Sequence, residues 1–370
     1  MKTDTVLVDF AGATAHFTEQ LRAAFNKETV SKTKLITIRP GIDNKKLRVS
    51  VVWNRLVRLA SIPINYIILF MRALACGPNK IFIFNIPLVP AIEIFFLCLI
   101  RIKGGVSVGI LHNLIPSHGE KKCFRNYKYF EFYNRCDIVI FHDPSVATNF
   151  NNVFPKPFPL FIDLPGYSVP NAVTYTSLSS KRSDVLKLGF MGTVRPYKNL
   201  EIVGSEFKGL SDKQLSSVSF KIIGKAFYDI DKLVNGFENL GFGEFLYNKE
   251  ALSDDDFFRE MAECDFLLLP HASSSGSGLL SVAASLGIPV IASNIAVFTD
   301  FVHRYENGVI FDHLTAGDLY RVISVLIEDR VERQNLKTRA LRAAQSVPTW
   351  TNYTNNILAC CDTLSKRKIR

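Results

Sequence analysis

The sequence lacks the cysteine spacing that a disulfide framework or a zinc site needs. Its 370 residues include seven cysteines but no Cys-x-x-Cys pair and no histidine-rich ligand spacing. Free thiols in a reducing compartment are therefore expected. The first residues, MKTDTVLVDF, have neither the apolar core nor the cleavage site of a signal peptide. No stretch reaches the roughly 18 uninterrupted apolar residues of a membrane span, so we expect a cytoplasmic protein.

Acidic residues are absent from a long stretch in the first half of the chain. There is none between Asn44 and Ile92, in a chain whose net charge is +10. The basic residues of this stretch are Lys45, Lys46, Arg48, Arg55, Arg58, Arg72 and Lys80. Apolar residues alternate with them, among them Trp53 and the run IPINYIILFM, and this pattern favours contact with the inner surface of a membrane. A solvated basic helix face is the alternative, and nucleic acid is disfavoured because no nucleic-acid motif accompanies the charge.

Short apolar runs alternate with helix-length segments along the whole chain. Two domains are expected for 370 residues, because a single core rarely grows that large. Runs rich in Val, Ile, Leu and Phe are typical of buried parallel strands. They predict strands at 6–10, 34–39, 81–86, 106–113, 137–143 and 159–164, and again at 186–194, 218–225, 243–249, 265–271, 289–294 and 308–312. The predicted fold is α/β, with two Rossmann-like, doubly wound domains facing a cleft.

A stretch rich in proline and serine separates the two sets of strands. Five prolines lie between residues 155 and 170, and a polar run follows them. Such a composition is typical of a domain boundary. The predicted organisation is a first domain over 1–165, a linker over 166–185, a second domain over 186–348, and a C-terminal helix over 349–370 that packs back on the first domain.

Two stretches of the second domain have the composition of a phosphate site. PHASSSGSGLLSVAASLGIPVIAS (270–293) predicts a loop of small residues before a helix whose free N–H groups and dipole would face an anion. GFMGTVRPYKNLE (189–201) ends a strand in a glycine turn and places Arg195 and Lys198 three residues apart. A guanidinium fork and a mobile ammonium suit a diphosphate. Each stretch alone is more typical of an ordinary turn or a solvated face. Because both are expected at the same edge of the sheet, together they favour a site that binds a diphosphate.

These stretches resemble a glycosyltransferase of the GT-B fold, similar to family 4 of the nucleotide-sugar-dependent enzymes. The resemblance covers the second domain and is carried, in order, by LGFMGTVRPYKNLE, FKIIGKAF, AECDFLLLPH, GSGLLSVAASLGIPVIASN and ENGVIFD. In the first domain it is limited to the overall pattern and the strand end ILHNLIP. It implies that Arg195 and Lys198 bind the donor diphosphate and that His112 lies near the transferred sugar. It also implies donor contacts for the small-residue loop, formed by Ser275, Gly276, Ser277, Gly278 and Leu279.

Three more residues stand at the ends of second-domain strands, where α/β sheets bind ligands: Gly192, Gly224 and His271. We predict that they meet the donor, a UDP-sugar or GDP-sugar; His271 either bonds the sugar or caps its strand. No cofactor and no metal are predicted. The sequence has no paired Asp motif at a strand end, and fixed cations can neutralise the leaving diphosphate.

One departure from the family concerns two glutamates that many members carry eight residues apart. Here Ser274 and Val282 stand at those places. The sequence resembles instead a bacterial subgroup of exopolysaccharide and lipid-linked glycan assembly, and retention or inversion at the anomeric centre stays open. An inverting enzyme needs a base from the first domain. The candidates are His112, Asp9, His16, and His118 with Glu120. Asp143 is a further candidate, although its place before Pro144 favours a helix N-cap.

The predicted function is transfer of a hexose from a nucleoside-diphosphate sugar to a glycan or lipid-linked acceptor, in bacterial surface polysaccharide assembly. The predicted location is the cytoplasmic face of the inner membrane, met through the basic first domain. The missing glutamates motivate one alternative, a non-catalytic subunit that binds sugar nucleotide or glycan. A sugar-nucleotide epimerase on the same fold is another, because fold alone does not decide chemistry.

Overall fold

The structure is a computed structural model that describes residues 4–10, 15–28, 33–37, 51–78, 80–112, 124–166, 184–249, 252–274 and 278–369. The chain divides into two compact units. The first comprises residues 1–164 and 349–370, and the second comprises residues 165–348.

The first unit is built on a parallel six-stranded sheet of order β2-β1-β3-β4-β5-β6. Its strands are β1 (Asp4–Asp9), β2 (Lys34–Thr37), β3 (Lys80–Phe84), β4 (Val106–Leu111), β5 (Ile138–Phe141) and β6 (Phe158–Phe161). Its helices are α1 (Ala15–Glu28), α2 (Val51–Leu74), α3 (Pro90–Ile102), α4 (Phe124–Arg135), α5 (Pro144–Val153) and α14 (Trp350–Ile369).

The central strands β1, β3, β4 and β5 are buried on both faces because most of their side chains are apolar, whereas the edge strands β2 and β6 are partly exposed. Along β3, Ile81 and Ile83 pack into one core with residues of α1 and α14. Phe82 and Phe84 point the other way, into a second core with residues of α2, α3 and α4. Alternate side chains of a strand face opposite sides of the sheet, so helices are needed on both sides.

The second unit repeats this architecture with a parallel six-stranded sheet of order β12-β11-β10-β7-β8-β9. Its strands are β7 (Leu186–Met191), β8 (Val218–Ile223), β9 (Glu244–Asn248), β10 (Phe266–Leu269), β11 (Val290–Ser293) and β12 (Gly308–Phe311). Its helices are α6 (Leu200–Phe207), α7 (Asp212–Ser216), α8 (Asp231–Glu238), α9 (Asp254–Ala262), α10 (Gly278–Leu286), α11 (Ala296–Tyr305), α12 (Asp318–Glu328) and α13 (Arg330–Ala343).

The predicted fold class is confirmed: two doubly wound α/β sheets are present, and each of the twelve predicted strands overlaps one strand of the structure. Several strands end earlier than predicted. The strand expected over 186–194 ends at Met191, because Gly192 turns the chain out of the sheet with a φ of +86°. Among the helices of the described ranges, none has the length and apolarity to span a membrane.

Candidate functional site

Three neighbouring strands of the second unit, β10, β7 and β8, end at one edge of its sheet. Gly192 follows β7, Gly224 follows β8, and His271 comes two residues after β10. Gly278 begins α10 at the same edge, after the small-residue loop. Because carboxyl ends of parallel strands meet at one edge, this is the place where such sheets bind ligands.

The turns after β7 and β8 are in main-chain contact. Gly224 has a φ of +151°, and a Cβ at this position would overlap the main-chain oxygen of Gly192. Glycine is therefore required at 224 by both conformation and space. A Cβ at Gly192 would lie 3.4 Å from Lys198 Nζ and 3.4 Å from a methyl carbon of Leu279. The structure thus brings Gly192, Gly224, Lys198 and Leu279 together.

Lys198 places a buried ammonium group at this edge. It ends a 3₁₀ turn (Pro196–Lys198) and is only 6% exposed. Burial, with a smaller contribution from the charge of Arg195, lowers the pKa of Lys198 to about 8. Within the described ranges Lys198 has no carboxylate partner. A buried cation without a counter-ion is a site for an anionic ligand, because the anion removes part of the desolvation penalty.

Arg195 is held by an aromatic side chain. Val194 and Ala226 pair as an isolated parallel bridge, and the Phe227 N–H donates to the Val194 carbonyl at 3.0 Å. This extension of β7 and β8 places the Arg195 guanidinium 4.1 Å from the centre of the Phe227 ring. Lys225 Nζ lies 5.7 Å from the same ring. A second cation therefore accompanies Arg195 beside an aromatic surface.

His271 is a neutral imidazole packed close to Lys198. Burial, followed by the charge of Lys198, lowers the pKa of His271 to about 3. Its ring centre lies 5.7 Å from that of Tyr197 and 5.1 Å from that of Phe298. His271 Nδ1 is buried and has no hydrogen-bond partner in the part of the chain that the structure describes. A polar atom of this kind is available to a ligand.

In the first unit, His112 ends a chain of hydrogen bonds along the sheet edge. His112 Nε2 lies 2.5 Å from Asn85 Oδ1, and Asn85 Nδ2 donates to Thr18 Oγ1 at 2.8 Å. Thr18 Oγ1 in turn donates to Asp9 Oδ2 at 2.8 Å. Because Asn85 Oδ1 can only accept, His112 carries its proton on Nε2. Its Nδ1 is left as an acceptor.

A second histidine, His142, stands beside His112 with ring centres 5.8 Å apart. His142 Nδ1 lies 2.8 Å from the Ile162 carbonyl, so Nδ1 carries its proton. Burial lowers the pKa of His112 to about 3 and that of His142 to about 4. The edge therefore presents two neutral imidazoles. Sequence reasoning missed Asn85 and His142, although both are polar residues directly after an apolar strand, the signal that singled out His112.

The remaining candidates are distributed as follows. Ser275, Gly276 and Ser277 lie outside the described residues, as do His118 and Glu120. Asp9 belongs to the hydrogen-bond chain of His112, and Asp143 directly precedes α5. The side chain of His16 is outside the described part. Within the described ranges, no group of three His, Cys, Asp or Glu side chains could hold a metal ion. Metal-free catalysis stays a prediction.

Residues 178–343 match the family model described as Glycosyl transferases group 1. The matched range covers most of the second unit and includes Gly192, Lys198, Gly224 and His271. A search of curated proteins finds no match for the chain.

Solved structures resemble the chain over almost its whole length. Sucrose-phosphate synthase from Thermosynechococcus elongatus matches with a TM-score of 0.72 at 13% identity, over 98% of this chain and 99% of that one. Anabaena HepE in complex with UDP matches with a TM-score of 0.67 at 14% identity, over 98% of this chain and 100% of that one. WaaG, a glycosyltransferase involved in lipopolysaccharide biosynthesis, matches with a TM-score of 0.61 at 11% identity, over 96% of this chain and 99% of that one. The predicted GT-B fold is thereby confirmed; the assignment to family 4 stays a prediction.

Proposed function

We propose that this protein transfers a hexose from a nucleoside-diphosphate sugar to a glycan or lipid-linked acceptor. The observation that carries the proposal is Lys198: a buried ammonium without a counter-ion, beside the β7–β8 turns of a glycosyltransferase group 1 domain. HepE, a structural neighbour, has been solved with UDP and with UDP-glucose, which supports a donor of this class.

Lys198 and Arg195 would hold the donor diphosphate, with the start of α10 as a third positive element. In the reaction the bond between the anomeric carbon and the diphosphate oxygen breaks, and the acceptor hydroxyl oxygen bonds to that carbon. Negative charge grows on the departing diphosphate, so fixed positive groups stabilise the transition state more than the ground state. An anion beside Lys198 also raises the pKa of its ammonium and keeps it protonated.

His112 and His142 are the histidines of the first unit that could accept the proton of the acceptor hydroxyl. With a pKa of about 3, His112 binds a proton too weakly to act as an efficient general base near neutral pH. Its Nδ1 can still accept a hydrogen bond from a sugar hydroxyl and orient it. We therefore assign His112 to substrate orientation and the acceptor proton to the leaving diphosphate, which is the route available to a retaining enzyme.

The acceptor is proposed to be part of a bacterial surface polysaccharide, assembled at the cytoplasmic face of the inner membrane. WaaG, another structural neighbour, is involved in lipopolysaccharide biosynthesis. The acid-free stretch from Asn44 to Ile92 gives the first unit the charge that an anionic membrane surface would attract.

The test compares Lys198→Met with Lys213→Met, which removes an exposed lysine from α7 of the same unit. Thermal shifts with UDP, GDP and ADP identify the nucleotide, because a ligand of the folded state raises the melting temperature. We expect Lys198→Met to lose most of the shift and to lower turnover by about a hundredfold, the effect of one oxyanion donor. Lys213→Met should behave as the parent protein.

Three results would contradict the proposal. Absence of any nucleotide-induced shift in the parent protein removes the donor site. Nucleotide binding with neither transfer nor hydrolysis of the sugar identifies a non-catalytic subunit. Release of a different free sugar from the donor identifies an epimerase.

A further inference from the structure

The helices α2 and α3 expose large apolar side chains at regular helical spacing. On α2 these are Ile64, Ile67, Ile68 and Met71, and on α3 they are Ile92 and Phe95. Ile67 is 62% exposed, Met71 61% and Phe95 56%. We call these six residues the α2–α3 apolar face. Scattered exposed apolar residues are ordinary in proteins, but a contiguous stripe on neighbouring helices marks an interaction site.

The two stripes point in the same direction. Opposite them on each helix lies a buried stripe, with Leu69 and Ala73 on α2 and Phe96 and Ile100 on α3, and both pack into the same core beneath one face of the first sheet. The Tyr66 ring on α2 stacks on the Phe96 ring of α3 at 6.0 Å. Since the helices lie side by side on one sheet face, their outward stripes form one continuous surface.

The segment of the sequence that contains α2 and α3 is almost free of acidic residues. Between Asn44 and Gly119 the sequence contains a single acidic residue, Glu93, and its side chain is fully buried beneath α2. Lys103 is exposed directly after α3, next to Ile102, whereas the guanidinium of Arg101 on α3 pairs with Asp137 at 3.5 Å. Ile102 is itself 80% exposed. An apolar stripe on helices that carry basic residues and no exposed carboxylate of their own is complementary to anionic lipid headgroups over acyl chains.

We infer that the α2–α3 apolar face inserts into the interfacial region of a bilayer containing anionic lipids. This inference rests on the proposed function, because a lipid-linked acceptor would require the enzyme to bind a membrane. Insertion of apolar side chains supplies most of the affinity, and the cations select anionic lipid. A second copy of the chain fits less well, because a symmetric contact through this face would bring like charges together.

The experiment measures co-sedimentation of the full chain with vesicles of phosphatidylcholine alone and of phosphatidylcholine with phosphatidylglycerol. The test variant combines Ile67→Glu with Met71→Glu, and Ile92→Glu on α3 is an independent second variant. The matched control is Val331→Glu, which places the same charge at a 70% exposed valine of α13 in the second unit. Sedimentation velocity without vesicles and the UDP-induced thermal shift are recorded for every protein.

The parent and Val331→Glu should bind the mixed vesicles. The affinity of the double variant for these vesicles should be at least tenfold lower, which is about the effect of one apolar side chain that is no longer buried. Lys103→Gln should weaken binding to mixed vesicles about fivefold and leave pure phosphatidylcholine unaffected, as for one basic residue near the surface. A ligand-free melting temperature close to that of the parent shows that each variant is folded, whether or not UDP binds.

The inference is overturned if the parent binds neither kind of vesicle, or if the two α2–α3 variants bind the mixed vesicles as well as Val331→Glu does. A parent that is dimeric and dissociates on Ile67→Glu with Met71→Glu, without vesicle binding, assigns the face to a second copy instead. Vesicle binding without any nucleotide shift would leave this inference standing while the proposed function fails.

Discussion

The Arg195 guanidinium lies 4.1 Å from the ring centre of Phe227. The two residues are brought together by the bridge between Val194 and Ala226, which extends the pairing of β7 and β8 beyond the sheet. Phe227 is 51% exposed and is not part of any core cluster of the second unit. Its contact with Arg195 is therefore one that positions a cation.

Replacement of Phe227 by leucine should weaken UDP binding about threefold, because an exposed cation–π contact contributes about 0.5–1 kcal/mol. Phe227→Tyr should keep the affinity, since tyrosine also presents a π face. Isothermal titration calorimetry measures both. A leucine variant with the parental affinity would show that Arg195 is positioned without the ring.

UDP affinity should depend on pH through Lys198. Its pKa of about 8 in the free protein must rise when the diphosphate binds, so binding takes up a proton above pH 8. The dissociation constant should be constant below that pH and then increase up to about tenfold per pH unit, as one proton requires. Calorimetry in buffers of different ionisation enthalpy measures the proton uptake.

The matching control is Lys198→Arg, which stays charged throughout this range. It should abolish the pH dependence even if its affinity is lower. A dependence that persists in Lys198→Arg would assign the titration to another group.

The stability of the first unit should fall as pH rises, through Glu93. Tyr66 OH donates to Glu93 Oε1 at 3.1 Å, and the Leu88 N–H donates to the same oxygen at 2.9 Å. Burial raises the pKa of Glu93 from 4.5 to about 7. The folded state therefore binds the proton more tightly than the unfolded state, and this contribution is present below pH 4.5 and is lost as pH rises through 7.

Glu93→Gln keeps a neutral side chain of the same shape. Urea unfolding of this variant should show a higher free energy of unfolding than the parent above pH 7, by about 3 kcal/mol at the upper limit, and a flatter pH profile. Equal profiles for the two proteins from pH 5 to 8 would contradict the assigned burial effect.

Asn85 should affect the sugar-transfer step rather than donor affinity. It accepts from His112 Nε2 and so leaves Nδ1 of the ring as the acceptor. Asn85→Ala leaves a buried N–H unsatisfied and releases the ring, and we expect kcat to fall about tenfold, the lower range for loss of a buried hydrogen bond. The Kd for UDP should be unchanged. A loss of UDP affinity of the same size would refute the assignment to orientation.

Two glycines of the second unit should respond oppositely to alanine. At Gly224 the added methyl would overlap the Gly192 carbonyl oxygen, and we expect a loss of several kcal/mol in the free energy of unfolding, as for overpacking combined with an unfavourable φ. At Gly236, inside α8, nothing lies within 4 Å of the added methyl. Gly236→Ala should therefore stabilise by about 0.5–1 kcal/mol. Urea unfolding of both variants checks this.

Most strands could be predicted because they are mainly apolar runs of strand length between turn residues, as IFIF of β3 and FLLL of β10 illustrate. α2 was harder to delimit, since Pro63 lies inside it and its apolar run IPINYIILFM also suits a strand or a membrane contact. Local composition indicates what a segment can form, and packing decides where it ends.

Contacts between distant positions could not be predicted from one sequence. Thr18 and Asn85 are 67 positions apart and meet only because β1 and β3 are neighbours in the sheet. The same holds for Arg195 and Phe227, whose contact depends on the register of β7 on β8. The sequence shows which residue types stand at the ends of the strands. Which of these residues contact each other depends on the order of the strands in the sheet.

The first unit is completed by the last segment of the chain. α14 packs against α1, and Trp350, Tyr353 and Ile357 fill the core that also contains Phe17. During synthesis the second sheet is therefore complete while one side of the first sheet is covered by α1 but not yet by α14. The core that α14 completes can form only after the whole of the second unit has been synthesised, and removal of residues 349–370 should destabilise the first unit rather than the second.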